Sequence, residues 1–154
     1  MTHCELVEIG TKWLKRHTEN MLVPNCPLVC SEMVTVNNMG EVPDVIGWGS
    51  GNSVLIEVKV SRADFLRDKK KLFRRYPDMG TGDYKYYLCP TGIIRPEDLN
   101  EPYGLLVYDG RKVVIEKVAP LGVGNLRSER DMLLSIIRRA KTTDPFWGST
   151  EFPS

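Results

Sequence analysis

No stretch of this chain approaches the roughly 18 uninterrupted apolar residues that a membrane-spanning helix requires, so a membrane partner is not expected. The first residues, Met-Thr-His-Cys-Glu-Leu-Val-Glu, lack the basic start and apolar stretch of a signal peptide, and an intracellular, cytoplasmic location is the expectation. Cysteine is scarce: Cys4, Cys26, Cys30 and Cys89 are too few and too irregular for a disulfide scaffold. Cys26-x3-Cys30, with His3 and Cys4 far upstream, lacks the spacing of a paired zinc knuckle, which leaves buried free thiols as the expectation. His3 and His17 form no nucleophile–base pattern, and neither a Ser/His/Asp arrangement nor a phosphate-cradling glycine loop is present. Hydrolysis through a covalent intermediate is therefore disfavoured. A net charge of +1 does not by itself point to nucleic acid.

What is present is an ordinary globular composition. At 154 residues the chain has length for one domain with a real core, expected over 1–140, followed by a loose tail rich in Thr, Pro, Gly and Ser over 141–154. Apolar residues at i, i+3, i+4, i+7 and i+8 (Leu6, Ile9, Gly10, Trp13, Leu14, His17) predict a helix over 5–19. Strands are expected at 28–36, 42–48 and 53–60, the last two joined as a hairpin by Gly-Ser-Gly-Asn-Ser. A helix over 62–75, capped by Ser61 or Asp64, carries the stripe Phe65, Leu66, Leu72, Phe73 and Tyr76. A strand at 84–89, a helical turn at 96–99, a hairpin of 104–108 and 112–118 about Asp109-Gly110, and a helix over 126–140 complete the order. Leu126, Met132, Leu133, Ile136 and Ile137 are its expected inner face, and Arg127, Arg130, Arg138 and Arg139 its outer one. This is an α/β chain in α-β-β-β-α-β order plus a C-terminal hairpin and helix, read as a mixed β-sheet flanked by helices.

Charge stands where it is least expected. Glu57 and Lys59 interrupt Val-Leu-Ile-Glu-Val-Lys-Val (54–60), and, being two apart on a strand, they emerge on one face. Desolvating both is costly unless they are paired or metal-bound. Asp44, in Val-Pro-Asp-Val-Ile-Gly-Trp (42–48), can join Glu57 from the neighbouring strand. Two carboxylates, the backbone carbonyl of Val58 between Glu57 and Lys59, and an adjacent ammonium are what phosphodiester hydrolysis asks of a protein. The oxygens hold Mg²⁺ or Mn²⁺, and the amine positions water or offsets developing charge. Between Arg62 and Arg75 stand seven basic residues (Arg62, Arg67, Lys69, Lys70, Lys71, Arg74, Arg75) against two acidic ones (Asp64, Asp68), a stretch on which a phosphate backbone can lie. Lys69 or Lys70 is the phosphate contact expected there, with Arg62 and Ser61 beside it. Glu32 shares strand parity with Cys30, Val34 and Val36, as an additional ligand or an exposed strand Glu. Glu8 and Glu5 on the first helix lie off the apolar stripe or at its edge, and a solvated role is the simpler reading for both. Tyr84, Tyr86 and Tyr87 read as sheet packing and Trp13 as core, while Trp48 fits either place.

Pro43-Asp44 followed by Glu57-Val58-Lys59 resembles the PD-(D/E)xK nuclease motif. A closer likeness runs from Ser31-Glu32 to about Pro90, on Glu32, Asp44, Glu57, Lys59, Ser61, Asp64, Phe65, Asp68 and Lys70. It is similar to the MmcB-like family of bacterial DNA-repair endonucleases and its phage and mobile-element relatives. The resemblance implies a restriction-endonuclease-like core and a Mg-dependent endonuclease acting on DNA, with RNA as an alternative substrate and Mn able to substitute for Mg. It implies Asp44, Glu57 and Val58 as ligands with Glu32 or Glu8 as further candidates, Lys59 as catalytic amine, and a homodimer in some relatives. The alternative is a non-catalytic nucleic-acid-binding or assembly module on the same fold.

Overall fold

The structure, a computed structural model, describes residues 1–16, 23–32, 41–100 and 102–140. The expected tail over 141–154, the strand positions 33–36 with Val34 and Val36, and the helix end from His17 lie outside the described residues.

The chain begins with helix α1, His3–Lys15. It starts two residues earlier than its apolar spacing suggests because Thr2 and Glu5 form a reciprocal cap: the Glu5 N–H donates to Thr2 Oγ1 and the Thr2 N–H donates to Glu5 Oε2. Strands β1 (Leu28–Ser31), β2 (Val45–Trp48) and β3 (Ser53–Val58) follow. Next come helices α2 (Arg62–Asp68) and α3 (Leu72–Arg75), strand β4 (Tyr84–Pro90), the hairpin β5 (Tyr103–Tyr108) and β6 (Val113–Lys117), and helix α4 (Leu126–Arg139). Single 3₁₀ turns occupy Pro77–Met79 and Pro96–Asp98. The result is an α/β fold with one mixed sheet, ordered β1-β2-β3-β4-β5-β6. β3–β4 and β4–β5 are parallel, and the other three pairs are antiparallel. The two expected hairpins, β2–β3 and β5–β6, form as read. Among the described residues no helix is long and apolar enough to cross a membrane.

Strand parity divides the core. Val45, Val54, Ile56, Val58, Tyr86, Leu88 and Leu106 face one side, where Leu6, Val7 and Leu14 of α1 pack on them. Tyr87, Cys89, Leu105 and Val107 face the other, with Phe65 of α2, Ile94 and Leu99. α4 covers the β1–β2 end of that second face through Met132 against Ile46. Every residue of β3 is buried, as expected of a central strand with apolar residues on both faces.

Two expectations need correction. The helix over 62–75 is broken: Lys71 is extended (φ −64°, ψ 150°), and Leu66, Leu72 and Tyr76 are about half exposed rather than forming one stripe with Phe65. The helix over 126–140 is rotated, so that Leu126 and Ile137 face solvent while Glu129 is buried. That rotation satisfies polar groups that no apolar side chain could serve. Glu129 accepts from the Gly82 N–H at 2.7 Å, Ser53 Oγ at 2.8 Å and Trp48 Nε1 at 3.1 Å, tying α4 to the turns beside β3 and β4. On the same side of the sheet, buried Lys85 donates to the carbonyls of Gly80, Thr81 and Gly82, and its burial draws the amine down to about 8.

α1 lies so close to β2 that a Cβ at Gly47 would stand 2.7 Å from Leu14 Cδ2 and 2.8 Å from Cys26 Cβ. Gly47→Ala is therefore expected to destabilise the protein by about 1–3 kcal/mol through overpacking, read as a lowered urea midpoint with an unchanged m-value.

Candidate active site

β2 and β3 set the geometry. Val45 pairs with Ile56, so the next position along that antiparallel register brings Asp44 opposite Glu57 on one face. One strand further, the Glu32 N–H donates to the Asp44 carbonyl at 3.0 Å, which brings Glu32 level with both. Three carboxylate-bearing residues thus stand level with one another, Glu32 just past β1, Asp44 just before β2 and Glu57 on β3. Asp44 Oδ2 accepts the Val58 N–H at 2.7 Å, so its side chain continues the ladder. The Lys59 N–H donates to Leu88 O on β4. In a trans peptide the carbonyl points opposite to that N–H, which turns the Val58 carbonyl toward Asp44. The expected oxygen donors therefore share one side of β3.

Glu57 and Lys59 are both buried, 3 % and 4 % exposed. They stand on the face of Tyr87 and Phe65, not on a solvated surface. Lys59 Nζ lies 3.5 Å from Glu57 Oε2 and 3.4 Å from Asp68 Oδ1. Arg74 makes the closer contacts, with Nη2 2.8 Å from Glu57 Oε2 and Nε 2.6 Å from Asp68 Oδ2. Tyr87 OH donates to Asp68 Oδ2 at 2.8 Å, and Lys71 Nζ reaches Asp68 Oδ1 at 2.7 Å. Glu41 Oε1 lies 3.9 Å from Arg74 Nη1. Glu41, Glu57 and Asp68 are thus set against Lys59, Arg74 and the exposed Lys71, a charge-balanced network with a buried centre.

The two central acids respond in opposite directions. Burial raises the Glu57 carboxyl and the neighbouring Asp44 adds to the rise; Arg74 and Lys59 offset part of it without reversing it. Burial also pushes Asp68 upward, but Arg74, Lys59 and Lys71 together overcome this and hold it well below the usual carboxylate range. The Tyr87 phenol is driven far above its ordinary value, chiefly by burial, and acts here as a hydrogen-bond donor.

The broken helix explains why Arg74 can serve. On a continuous helix, residues six apart stand about 120° apart around the axis, which would part Asp68 from Arg74. The extended residue at Lys71 lets α3 turn and bring the guanidinium back over Asp68 and Glu57. There it lies 5.7 Å from the Tyr87 ring centre and 5.5 Å from that of Tyr103.

The remaining sequence-derived residues are dispersed. Ser61 caps α2, its Oγ accepting from the Asp64 N–H. Arg62 pairs with Asp98 and stacks over Phe65. Lys69 donates to the Asp98 carbonyl at 2.8 Å, while Lys70 is exposed. Glu8 is exposed and paired with Lys12, and Glu5 serves the α1 cap, so neither joins the acidic row. Tyr86 and Tyr87 pack in the sheet, and Trp48 lies half-buried against Ile46 and Met132. Arg74 and His3 were the site-forming residues that sequence reasoning passed over. His3 turns its two ring nitrogens to Glu32 and Asp44.

Asp44, Glu57, Glu32 and the Val58 carbonyl are of the ligand type that a hard divalent cation takes. The acids and bases of the network balance one another, but Asp44 and Glu32 add negative charge at the rim, and every donor in the row is oxygen. No family model and no curated protein matches this chain. Among solved structures it is similar to a protein of unknown function from Silicibacter pomeroyi, with 26 % identity, a TM-score of 0.54, and coverage of 81 % of this chain and 84 % of that one. The likeness supports the α/β sheet architecture and carries no activity with it.

Removing Arg74 would leave two buried carboxylates undercompensated. Arg74→Met is expected to cost about 3–5 kcal/mol in chemical unfolding. Asp68, depressed below its ordinary 3.8, makes the unfolded chain take up a proton first, so this part of the stability is lost as pH falls below about 4. Glu57, raised above 4.5, acts in the opposite sense and at higher pH: its native form takes up a proton first and gains stability as pH falls toward that value. Asp68→Asn should flatten the acid limb of a stability–pH profile below about pH 4 and, by removing a negative charge beside Glu57, reduce the rise of that carboxyl.

Proposed function

We propose that this chain is a divalent-metal-dependent endonuclease of the PD-(D/E)xK type that hydrolyses DNA phosphodiester bonds, on a restriction-endonuclease-like core. The observation that carries the reading is the convergence of Asp44, Glu57 and the Val58 carbonyl on one side of β3, with Lys59 held beside them. Asp44 and Glu57 would hold Mg²⁺, or Mn²⁺ in its place, and Glu32 stands near enough along the row to contribute through water. The bound cation supplies Lewis-acid polarisation of the phosphate and a lowered pKa for water.

The chain's own residues do the rest. Arg74 fixes the Glu57 carboxylate, so that its orientation is set before substrate arrives. Lys59, anchored between Glu57 and Asp68, would donate a hydrogen bond that positions the attacking water oxygen or offsets the charge on a non-bridging phosphate oxygen. Water adds to phosphorus and gives up a proton to solvent, the bond to the leaving sugar oxygen breaks, and that oxygen takes up a proton from solvent. Lys70, Arg67 and Arg75 stand exposed on α2–α3 and the segment joining them, where a phosphate backbone can lie. RNA would engage the same groups.

One observation favours a second reading. Glu57 and Lys59 are already paired within a charge-balanced network, an arrangement that a non-catalytic nucleic-acid-binding or assembly module could keep for its fold alone. Asp44→Ala and Lys59→Ala are expected to lower Mg²⁺-dependent nicking of plasmid DNA by about 100-fold or more while circular dichroism still reports a folded chain. Wild-type cutting by either variant would rule out the nuclease. A gel shift that persists in EDTA without any cleavage would assign the protein to the second class.

A further inference from the structure

His3 and Cys4 are neighbours in the chain and Glu32 is distant from both, yet the fold brings one ligand atom from each within 4.8 Å of the others. α1 delivers His3 and Cys4 in its first turn, and Glu32 follows directly on the end of β1. Glu32 is the only non-glycine residue among the described ones with a left-handed backbone, at φ 46°. Such a conformation costs about 1 kcal/mol or more and persists where the surroundings fix it. His3 Nδ1 lies 3.6 Å from Glu32 Oε1, and His3 Nε2 lies 3.4 Å from Asp44 Oδ1. Both separations exceed the usual N–H···O range of about 2.7–3.2 Å. The first is close to the roughly 3.3 Å between two ligands that share one tetrahedral ion with bonds of about 2.0–2.1 Å.

We propose that His3, Cys4 and Glu32 form a binding site for a transition-metal ion of the zinc class, with Asp44 as the outer carboxylate that orients the imidazole. The chemistry of the donors selects the ion. Imidazole nitrogen and thiolate sulfur are borderline to soft ligands, and the sulfur makes this a poor place for Mg²⁺ or Ca²⁺. A metal-bound histidine commonly donates its second ring N–H to a carboxylate, and Asp44 stands on that side of the ring. Three protein ligands leave a fourth position for water or an incoming group. The half-exposed setting gives the ion a path from solvent. Cys4 thus departs from the buried, inert thiol expected of it, whereas Cys26 and Cys89 conform.

Because Asp44 is shared, an ion at His3 would restrain a carboxylate of the neighbouring hard-cation site and so modulate cleavage. That consequence rests on the nuclease reading, whereas the binding itself does not. The test is titration of the metal-free full chain with Co²⁺, a spectroscopic stand-in for Zn²⁺. Thiolate-to-cobalt charge-transfer absorption with tetrahedral ligand-field bands is expected, and Zn²⁺ should displace it. Cys4→Ser should abolish the charge-transfer band, His3→Ala should abolish tight binding, and Asp44→Asn should weaken it by about 10–100-fold. Cys30→Ser should leave the spectrum unchanged, and circular dichroism confirms that each variant is folded. Absence of the band in the wild type, or its survival in Cys4→Ser, overturns the proposal. The cobalt spectrum is read without DNA or Mg²⁺, so its outcome is separate from that of the nicking assay.

Discussion

The contact between Arg74 and the buried carboxylate of Glu57 is the constraint around which the second face of the sheet is organised. An acid in the middle of a strand that is apolar on both sides faces a desolvation penalty of several kcal/mol unless a cation meets it. Lys59 alone, at 3.5 Å, is a partial answer. Arg74 completes it, and to reach Glu57 the chain gives up a continuous helix between β3 and β4. Asp68 balances the added guanidinium, Tyr87 and Lys71 satisfy Asp68, and Tyr103 accepts from Arg74 Nη1. Each of these partners follows from having placed one carboxylate on β3.

The same arrangement separates two electrostatic regimes. Inside, opposite charges meet at close range and hold one another fixed. At the rim, Asp44 and Glu32 carry negative charge toward solvent, and the His3 ring turns a nitrogen to each of them. A rim of this kind attracts cations, while the interior keeps Glu57 from drifting away from them. Holding charges in this way costs folding stability that the apolar core of β3, β4 and β5 must supply.

Much of the fold could be read from periodicity. The strand through Tyr84–Pro90, the Asp109-Gly110 hairpin and the centrality of β3 follow from patterns of period two and from turn residues, signals that depend on near neighbours alone. The candidate site was legible to the extent that Asp44, Glu57 and Lys59 are local departures from an apolar pattern. Asp68 was legible only as an acid within the basic stretch and through the family resemblance; its burial is a result of the fold. Arg74 carried no such signal, because its position depends on a break at Lys71 that neither Gly nor Pro marks. Leu126 and Ile137 were misread for a related reason: Glu129 turned α4 toward polar groups on distant turns, and periodicity counts apolar residues without seeing what lies opposite.

By itself the sequence determined the alternation of strands and helices and the presence of charge on the central strand, because side-chain direction follows from chain position within one element. Tertiary structure alone decided which cation meets which acid, and it alone brought His3 and Cys4 to Glu32. Those meetings join segments tens of residues apart, and the energy that selects them, desolvation repaid by pairing, exists only once the sheet has closed the space around the charges.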